Sequence, residues 1–564
     1  MASPKASGGS GARWVALGIL ASRLVGFVRE RAFAYFFGVG PHADVLKVAF
    51  RGPNLLQNLL GEGSLSAAFI PIYSRMVEEG REEDAGRFAG AVLSLLVVVA
   101  ASLAVLGIVF ARPLVALLTP GYLADAAAVV AGEATLDRYE LAVSAVRIVF
   151  PMTGLLVLAA WALGVLNSHR RFLVPYLAPV VWNLAILAGL IGAASYWMQG
   201  QPWGPGLLPG DTAASGGVRS RLVLAASVGA LVGGLLQLLV QLPWVVRVLR
   251  GFRWSLSLRV EGVKQALRAF GPVVAGRGVT QLSAYLDLVL ASLLAAGAQA
   301  SLGYAAQLYV LPVSLFGLSV AAAELPELSR LTAEGLQAFL DRLGRSLTQM
   351  SFFVVPTCIG YLAFGSLIVG TLYRTGRFGA LDNALVAAVL AAYSLGLPAT
   401  TSSRLFQNAF FALSDTRTPA AVAAVRVVVS AAVALPTMFW LDRFQVTALP
   451  WTEVGSDSNG RMLFLGAVGL ALGSAAGAWV ELTVLRGSLR RRLPELSLPW
   501  GSVARQAGMA LLAAVPAAVV WVLLPPLHPA LATLLVVGVY AGVYLTVAQL
   551  LGLSELRAWL RGRR

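Results

Sequence analysis

Residues 506–554 read QAGMALLAAVPAAVVWVLLPPLHPALATLLVVGVYAGVYLTVAQLLGLS, and this stretch contains no Asp, Glu, Lys or Arg. It covers most of two apolar runs, at 503–525 and 529–552, which prolines separate. Each run is long enough to cross a bilayer as a helix, since about 20 mostly apolar residues span the hydrocarbon core. The stretch therefore predicts a pair of membrane-spanning helices.

The same pattern extends over all 564 residues. Charged residues make up 12% of the chain, about half of the roughly 25% that is typical of soluble proteins. This composition excludes an ordinary cytosolic enzyme, a disordered chain and a secreted disulfide scaffold, and Cys358 is the only cysteine. We predict an all-α polytopic membrane protein with about 14 transmembrane helices. Besides the final pair, they lie near 14–38, 45–76, 87–111, 139–166, 174–197, 221–246, 269–296, 300–329, 347–373, 382–412, 419–440 and 462–485.

The basic residues predict the orientation of these spans. With both termini in the cytoplasm, 26 of the 43 Lys and Arg residues fall at cytoplasmic ends and loops, and 8 fall outside. Cytoplasmic loops carry such an excess in membrane proteins. We therefore expect cytoplasmic termini and a first span that is a membrane helix, not a cleaved signal. The net charge of +16 indicates contact with anionic lipid, and we expect no nucleic-acid partner.

A short internal repeat predicts two lobes. Residues 67–75 and 322–330 share the pattern A-A-x-x-P-x-x-S-R, and each copy ends the second span of a six-span unit. Because each unit has an even number of spans, the two lobes are parallel, and a substrate site is expected at their interface. The predicted segments are an N-terminal tail at 1–13, an N-lobe at 14–246, a basic cytoplasmic linker at 247–268, a C-lobe at 269–485, a basic loop at 486–502, a helix pair at 503–552 and a basic tail at 553–564.

Charged and amide side chains inside predicted spans are the candidate functional residues, because a charge at the bilayer centre costs about 2.5–3.5 kcal/mol on insertion scales. The second span carries a polar stripe from Asp44 to Glu62 at helical spacing. Two interpretations stay open, internal ion pairing and the lining of a hydrated cavity. Arg277 can face the same kind of cavity or extend to lipid headgroups. The candidate substrate-binding residues are Arg23, Arg29, Asp44, Arg51, Asn58, Glu62, Arg277 and Arg404.

Motifs for nucleotide hydrolysis are missing from the sequence. None of the three lysines follows a glycine, so the chain has no G-x-x-x-x-G-K-[ST] loop. It also has no H-E-x-x-H and no G-x-S-x-G motif. Arginine suits phosphate, because its planar guanidinium binds phosphate oxygens in a fork. We predict a transporter without its own ATP hydrolysis, for an anionic, phosphate-bearing and lipid-linked substrate.

Four segments resemble the MurJ/MviN family of lipid II flippases, within the multidrug/oligosaccharidyl-lipid/polysaccharide exporter superfamily. The resemblance implies an arginine-lined cavity, an apolar groove made by the last two helices, and alternating-access export of an undecaprenyl-diphosphate-linked muropeptide. It also implies a place in the bacterial inner membrane and contact with cell-wall synthesis proteins. The segments are SRLVGFVRE at 22–30, DVLKVAFRGPNLLQNLLGEGSLSAAFIPIYSR at 44–75, VRIVFPMTGLLVLAAWALGVLNSHRRFLVPYLAPVVWN at 146–183 and SLGLPATTSSRLFQNAFFALSDTRTP at 394–419.

The resemblance also bears on individual residues. Basic or acidic family positions match Arg23, Arg29, Asp44, Glu62 and Arg404. Asp287 matches an acidic residue of a sodium site, which makes it the candidate cation ligand; coupling to Na⁺, to protons or to the membrane potential stays open, and no other cofactor is expected. Family arginines are replaced at three positions, Gln57, Asn58 and Gln307.

Two other functions compete with this interpretation. A sister flippase or exporter for another lipid-linked oligosaccharide or for a drug would use the same fold. A membrane-embedded glycosyl- or phosphotransferase would need carboxylates near a metal at a loop. The outside loops offer only scattered acidic residues without paired spacing.

Overall fold

The computed structural model describes residues 8–60, 62–132, 134, 136–197, 213–449, 462–497, 499–525, 527–553 and 555. Within these ranges the chain is helical, with one isolated β-bridge between Gln445 and Phe464. The prediction of an all-α membrane protein is confirmed. The helices group by contact into two compact units, which are described separately.

Unit 1 comprises Met1–Leu293 and Thr375–Arg377. A short 3₁₀ helix, Pro120–Ala124, separates its fifth and sixth α-helices. Its α-helices are α1 Gly8–Phe37, α2 Pro41–Leu60, α3 Glu62–Glu78, α4 Glu82–Val109, α5 Ala111–Leu118, α6 Asp125–Val130, α7 Arg138–Ser168, α8 Leu173–Trp197, α9 Ala213–Val248 and α10 Val263–Ser292.

Unit 2 comprises Leu294–Arg374 and Phe378–Arg564. A π-helical segment, Val313–Leu318, and a 3₁₀ helix, Val446–Ala448, belong to it. Its α-helices are α11 Ala298–Pro312, α12 Ser319–Glu334, α13 Leu336–Tyr373, α14 Ala380–Leu395, α15 Leu397–Ala412, α16 Arg417–Leu441, α17 Gly466–Arg492, α18 Trp500–Leu523 and α19 Pro529–Leu550.

Eleven helices of the described chain are long and apolar enough to cross a membrane, or twelve if the bent pair at Ala111–Leu118 and Pro120–Val130 is one span. The eleven correspond to eleven of the fourteen predicted spans. The other three, at 14–38, 45–76 and 269–296, are also helical, as α1, α2 with α3, and α10. These are the spans that carry most of the charged candidate residues. The count of fourteen stays a prediction.

The core of unit 1 surrounds α7. Twenty of its 31 residues are buried, as expected for a helix with apolar residues on all sides. Its Trp161 is buried and donates a hydrogen bond from Nε1 to the Ala89 carbonyl oxygen of α4 at 3.1 Å. Because the indole keeps its polar atom paired, the ring can fill the interior without leaving a donor unsatisfied. Helix α7 is therefore the central helix against which the polar elements of unit 1 are positioned.

Helix α10 groups with unit 1, although the sequence places residues 269–296 in the C-lobe. The helix packs against α2, α3 and α5 of unit 1. The division between the units thus comes after Leu293 instead of within 247–268. The lobe boundaries stay a prediction, since contact grouping alone does not define a lobe.

Unit 2 contains a close helix crossing and a separate apolar pair. Gly473 of α17 lies so near α16 that an added Cβ would be 2.6 Å from the Ala434 Cβ, so the two helices can approach only with glycine there. Helices α18 and α19 pack on α13 through Phe352, Phe364 and Tyr540. The predicted C-terminal helix pair is thus seated on the long α13.

The two copies of the repeat occur in similar local structures. The first lies on α3, with 17 residues, and the second on α12, with 16 residues. Each helix contains the proline of the motif, Pro71 or Pro326.

Candidate functional site

A buried cluster of charges joins three helices of unit 1. Arg29 of α1 donates from Nη1 to Asn183 Oδ1 of α8 at 2.9 Å and from Nη2 to Glu30 Oε1 at 2.8 Å. Lys47 of α2 pairs with the other oxygen of Glu30. The side chains of Arg29, Glu30 and Lys47 are only 15%, 7% and 13% exposed. We call Arg29, Glu30, Lys47 and Asn183 the Arg29 cluster.

Aromatic rings form one wall of the Arg29 cluster. The Arg29 guanidinium carbon lies 5.1 Å from the centre of the Trp182 ring and 5.6 Å from that of Phe33. A cation over a ring face is attracted by the ring quadrupole. Arg29 Nε is buried and has no hydrogen-bond partner among the described residues. The cluster thus holds two cations for one described carboxylate and one unused donor, an arrangement suited to an anion.

Asp44 belongs to a second cluster of opposite composition, the Arg138 cluster, formed by Asp44, Asp125, Arg138 and Tyr122. Arg138 donates to both carboxylate oxygens of Asp125, at 2.6 and 2.9 Å. Its Nη1 lies 3.8 Å from Asp44 Oδ2, and its guanidinium carbon lies 4.2 Å from the centre of the Tyr122 ring. Asp44 is 1% exposed. Two carboxylates approach the same guanidinium here, and Asp44 contacts a buried arginine.

The other candidate residues of unit 1 are only partly described. Arg23 and Arg51 are half-buried, and Arg51 forms no ion pair with any described side chain. The side chains of Asn58, Glu62 and Arg277 lie outside the described residues, as do those of Gln57 and Gln281. Asp287 is half-buried on α10. Among the described residues, no three His, Cys, Asp or Glu side chains are grouped to hold a metal ion.

Unit 2 contains a further ion pair within its spans. Glu481 of α17 is 2% exposed, and its oxygens accept from Arg426 at 2.7 Å and from Gln407 at 2.8 Å. Arg426 and Glu481 therefore neutralise each other. Arg404 is exposed on α15, one turn before Gln407, and forms no ion pair with a described residue. Arg404 is thus the one candidate binding residue of unit 2 that stays available.

Unit 2 contains an apolar groove and a polar cavity. An apolar groove of about 390 Å³ runs between α13 and α19, and we call it the α13–α19 groove. Tyr540 and Tyr544 line it, but their hydroxyls donate to backbone carbonyls of α13 at 2.8 Å, so the groove presents only apolar atoms of these rings. A polar cavity of about 970 Å³ lies at the start of α13. Its lining mixes acids with Arg345 and Arg505, so it favours no single sign of charge.

Sequence reasoning missed several of these contacts. Asn183 and Trp182 stand at the end of the segment 146–183, and nothing in their spacing points to Arg29, 154 positions away in sequence. Arg138 and Asp125 lie outside the apolar spans, where charge is common and carries no signal. The available hint was the pairing of Trp with Asn in an otherwise apolar helix.

A family model described as lipid II flippase MurJ matches residues 33–542. The chain belongs to the MurJ family. A probable lipid II flippase MurJ of Rhizobium meliloti (strain 1021) is 33% identical over 425 residues, which cover 74% of this chain and 73% of that protein. The family membership expected from the sequence motifs is confirmed.

Solved structures confirm the fold. A lipid II flippase MurJ in an inward closed conformation matches with a TM-score of 0.71 at 20% identity, over 95% of this chain and 99% of that chain. An inward-facing multidrug resistance MATE family transporter of the MOP superfamily matches with a TM-score of 0.60 at 15% identity, over 84% and 95% of the two chains. The chain therefore has the helical fold shared by this superfamily.

Proposed function

We propose that this chain is a lipid II flippase, a transporter that moves the lipid-linked peptidoglycan precursor from the inner to the outer leaflet by alternating access. Membership of the MurJ family and the multi-pass helical fold support this function. The chain is a transporter and not an enzyme, in keeping with its family. The competing functions, a sister exporter and a membrane-embedded transferase, find no comparable support.

The proposal for substrate binding rests on the contacts of the Arg29 cluster. Two cations with one described carboxylate, and an unused guanidinium N–H, provide what a phosphate oxygen needs in a buried place. Arg29 is the residue that we expect to contact the diphosphate, and Lys47 holds Glu30 in position beside it. The remaining candidate binding residues are Arg23, Asp44, Arg51, Asn58, Glu62, Arg277 and Arg404.

The finer description of the substrate is an undecaprenyl-diphosphate-linked muropeptide. A polyprenyl tail needs an apolar surface, and the α13–α19 groove supplies one of about 390 Å³. Aromatic side chains line it, and its tyrosine hydroxyls are already hydrogen-bonded. We expect the tail to lie in this groove, and we expect the diphosphate to bind to arginine side chains.

The cellular setting follows the same reasoning. We place the chain in the bacterial inner membrane with both termini in the cytoplasm, because the basic loops then face the cytoplasm. Na⁺, protons or the membrane potential would supply the energy, and Asp287 is the proposed cation ligand. Cell-wall synthesis proteins are the proposed partners.

Complementation of a bacterium depleted of its own lipid II flippase tests the function. The native chain should restore growth, and Arg29→Ala should fail to do so while its membrane level stays near normal. The matched control is Arg112→Ala, because Arg112 pairs with Glu140 in the same unit but is 52% exposed. Growth with Arg29→Ala would contradict the binding role, and failure of the native chain would contradict lipid II flipping in that host.

A further inference from the structure

The connection between α9 and α10 runs along α4 without forming a helix. Residues 249–262 contain no helix, yet they contact α4 over three of its turns. A Cβ added to Gly86 would lie 1.7 Å from the Arg250 carbonyl oxygen, and one added to Gly90 would lie 2.2 Å from that of Arg253. Only glycine lets the two backbones meet at these points. We call residues 249–262 the strap.

The strap reaches the apolar part of α4. Ser255 donates its backbone N–H to Ser94 Oγ at 3.1 Å. Ser94 lies seven residues beyond Arg87, the last charged residue of α4, which corresponds to about 10 Å along the helix axis. The middle of the strap therefore lies beside a charge-free stretch of a candidate membrane span.

Apolar side chains project outward from the middle of the strap. Trp254, Leu256 and Leu258 are 66%, 61% and 47% exposed, and they occupy alternate positions. These three exposed side chains form an apolar face next to the apolar part of α4, where the Phe252 ring makes an edge contact with that of Trp254 at 5.3 Å between ring centres.

The serines between them satisfy backbone donors. Ser257 donates its N–H to Ser255 Oγ at 3.2 Å, and Arg259 donates its N–H to Ser257 Oγ at 3.2 Å. Together with Ser94, these hydroxyls accept from three successive alternate N–H groups of a segment that has no helix or sheet partner. Non-helical backbone is tolerated at membrane depth only where its polar groups are satisfied. The serine hydroxyls therefore leave fewer backbone donors of the strap to be satisfied by water or lipid headgroups.

Basic side chains flank the apolar face. Arg253 and Arg259 are exposed and form no ion pair with a described residue, whereas Arg250 reaches Glu82 at 3.0 Å and Glu261 pairs with Arg81 at 3.1 Å. The two ion pairs hold both ends of the strap at the start of α4. Free arginines beside apolar side chains match the phosphates of an anionic leaflet.

We propose that the strap is a membrane anchor of unit 1, in which Trp254, Leu256 and Leu258 insert at the boundary of headgroups and acyl chains while Arg253 and Arg259 bind anionic phospholipid headgroups. Tryptophan with neighbouring basic residues is the composition that membrane interfaces favour. The anchor is separate from the flipped substrate, so it can be tested without a transport assay.

Site-specific fluorescence tests the insertion. The single native cysteine allows a Cys358→Ala background, in which Leu256→Cys or Glu83→Cys carries an environment-sensitive label. Glu83 is the control, since it is 78% exposed in the first turn of α4. In nanodiscs that contain phosphatidylglycerol, we expect a blue shift at position 256, quenching by lipids brominated in their acyl chains, and loss of quenching by aqueous iodide. Iodide quenching at 256 equal to that at 83 would overturn the proposal, and would also be the result if the face serves another protein.

Two further comparisons test the headgroup contact and the close contact between the strap and α4. Brominated phosphatidylglycerol should quench the label at 256 more than brominated phosphatidylcholine, and Arg253→Gln with Arg259→Gln should remove that preference, whereas Arg87→Gln should keep it. Equal quenching by the two lipids would overturn the headgroup contact.

Gly90→Ala should restore iodide quenching at 256, whereas Gly192→Ala should not, because a Cβ at Gly192 meets nothing within 4 Å. If position 256 stays protected from iodide in Gly90→Ala, the close contact between the strap and α4 is not what places the apolar face in the membrane.

Discussion

Asp44 and Lys47 lie one turn apart on α2, yet they belong to clusters of opposite charge balance. Lys47 and Arg29 both pair with the carboxylate of Glu30. Asp44 and Asp125 both approach the guanidinium of Arg138. Both clusters are buried, and both tie α2 to other helices of unit 1. Burial alone therefore does not separate a binding group from a structural one, and we propose that the ratio of cations to carboxylates among the described contacts does.

Each cluster contains one buried polar side-chain atom without a hydrogen-bond partner among the described residues, Arg29 Nε in one and the Tyr122 hydroxyl oxygen in the other. Arg138 donates two short hydrogen bonds to Asp125, and its guanidinium lies over the Tyr122 ring. Arg29 keeps Nε without a partner in the described structure. A buried unpaired donor costs about 1–3 kcal/mol, so an anion that accepts from it gains that contact. The Arg138 guanidinium already binds both oxygens of one carboxylate, and we expect an anion to bind at the Arg29 guanidinium instead.

The largest expected effect on stability comes from Arg138→Gln. This change leaves Asp44 and Asp125 buried without their described cation, and breaking a buried ion pair costs about 3–5 kcal/mol. Thermal unfolding of the purified protein, followed by tryptophan fluorescence, should show a clearly lowered Tm. The double variant Arg138→Gln with Asp125→Asn should recover part of the loss. An unchanged Tm in the single variant would mean that the cluster is not structural.

Arg29→Gln should destabilise the protein less. Lys47 still neutralises Glu30 in this variant, so the loss is limited to the hydrogen bonds of the guanidinium, about 1.5 kcal/mol. The same thermal measurement, made beside Arg138→Gln, compares the two clusters directly. Equal destabilisation by the two substitutions would remove the distinction between a binding cluster and a structural one.

The sequence predicted these clusters only in part. A uniformly apolar helix such as α19 is recognisable, because its pattern depends on a single helix and its solvent. The charges of α1 and α2 were recognisable as functional candidates by their cost in a membrane. Their partners were not, because Asn183 and Arg138 approach through tertiary packing, and spacing reports only which residues share a face of one helix.

Binding of a phosphate mimic should sharpen the comparison further. Inorganic pyrophosphate at ten times its Kd stabilises a protein by about 1.4 kcal/mol if it binds only the folded form. We expect it to raise the Tm of the native chain and of the exposed-pair control Arg112→Ala, but not that of Arg29→Gln. If pyrophosphate also raises the Tm of Arg29→Gln by the same amount, the anion binds elsewhere.

The smallest expected effect concerns a carboxylate outside the spans, which serves as a reference for the buried ones. Asp415 lies in the turn between α15 and α16 and accepts from the Thr418 hydroxyl at 2.6 Å and the Thr418 amide at 3.0 Å. Arg492 also donates to it, at 2.5 Å. These hydrogen bonds, with those of Thr418 the strongest, lower the pKa of Asp415 to about 2.

The direction of the resulting pH dependence follows from the lowered pKa. A carboxyl whose pKa falls on folding stabilises the fold above its ordinary pKa of about 3.9 and loses that contribution as the pH falls towards the folded value. The Tm of the native chain should exceed that of Asp415→Asn at about pH 6, and the difference should shrink between about pH 4 and pH 2. Water screens this surface turn, so the difference should be smaller than for either buried cluster. A difference that persists unchanged at about pH 2 would show that the asparagine perturbs the turn itself and that ionisation of Asp415 contributes nothing.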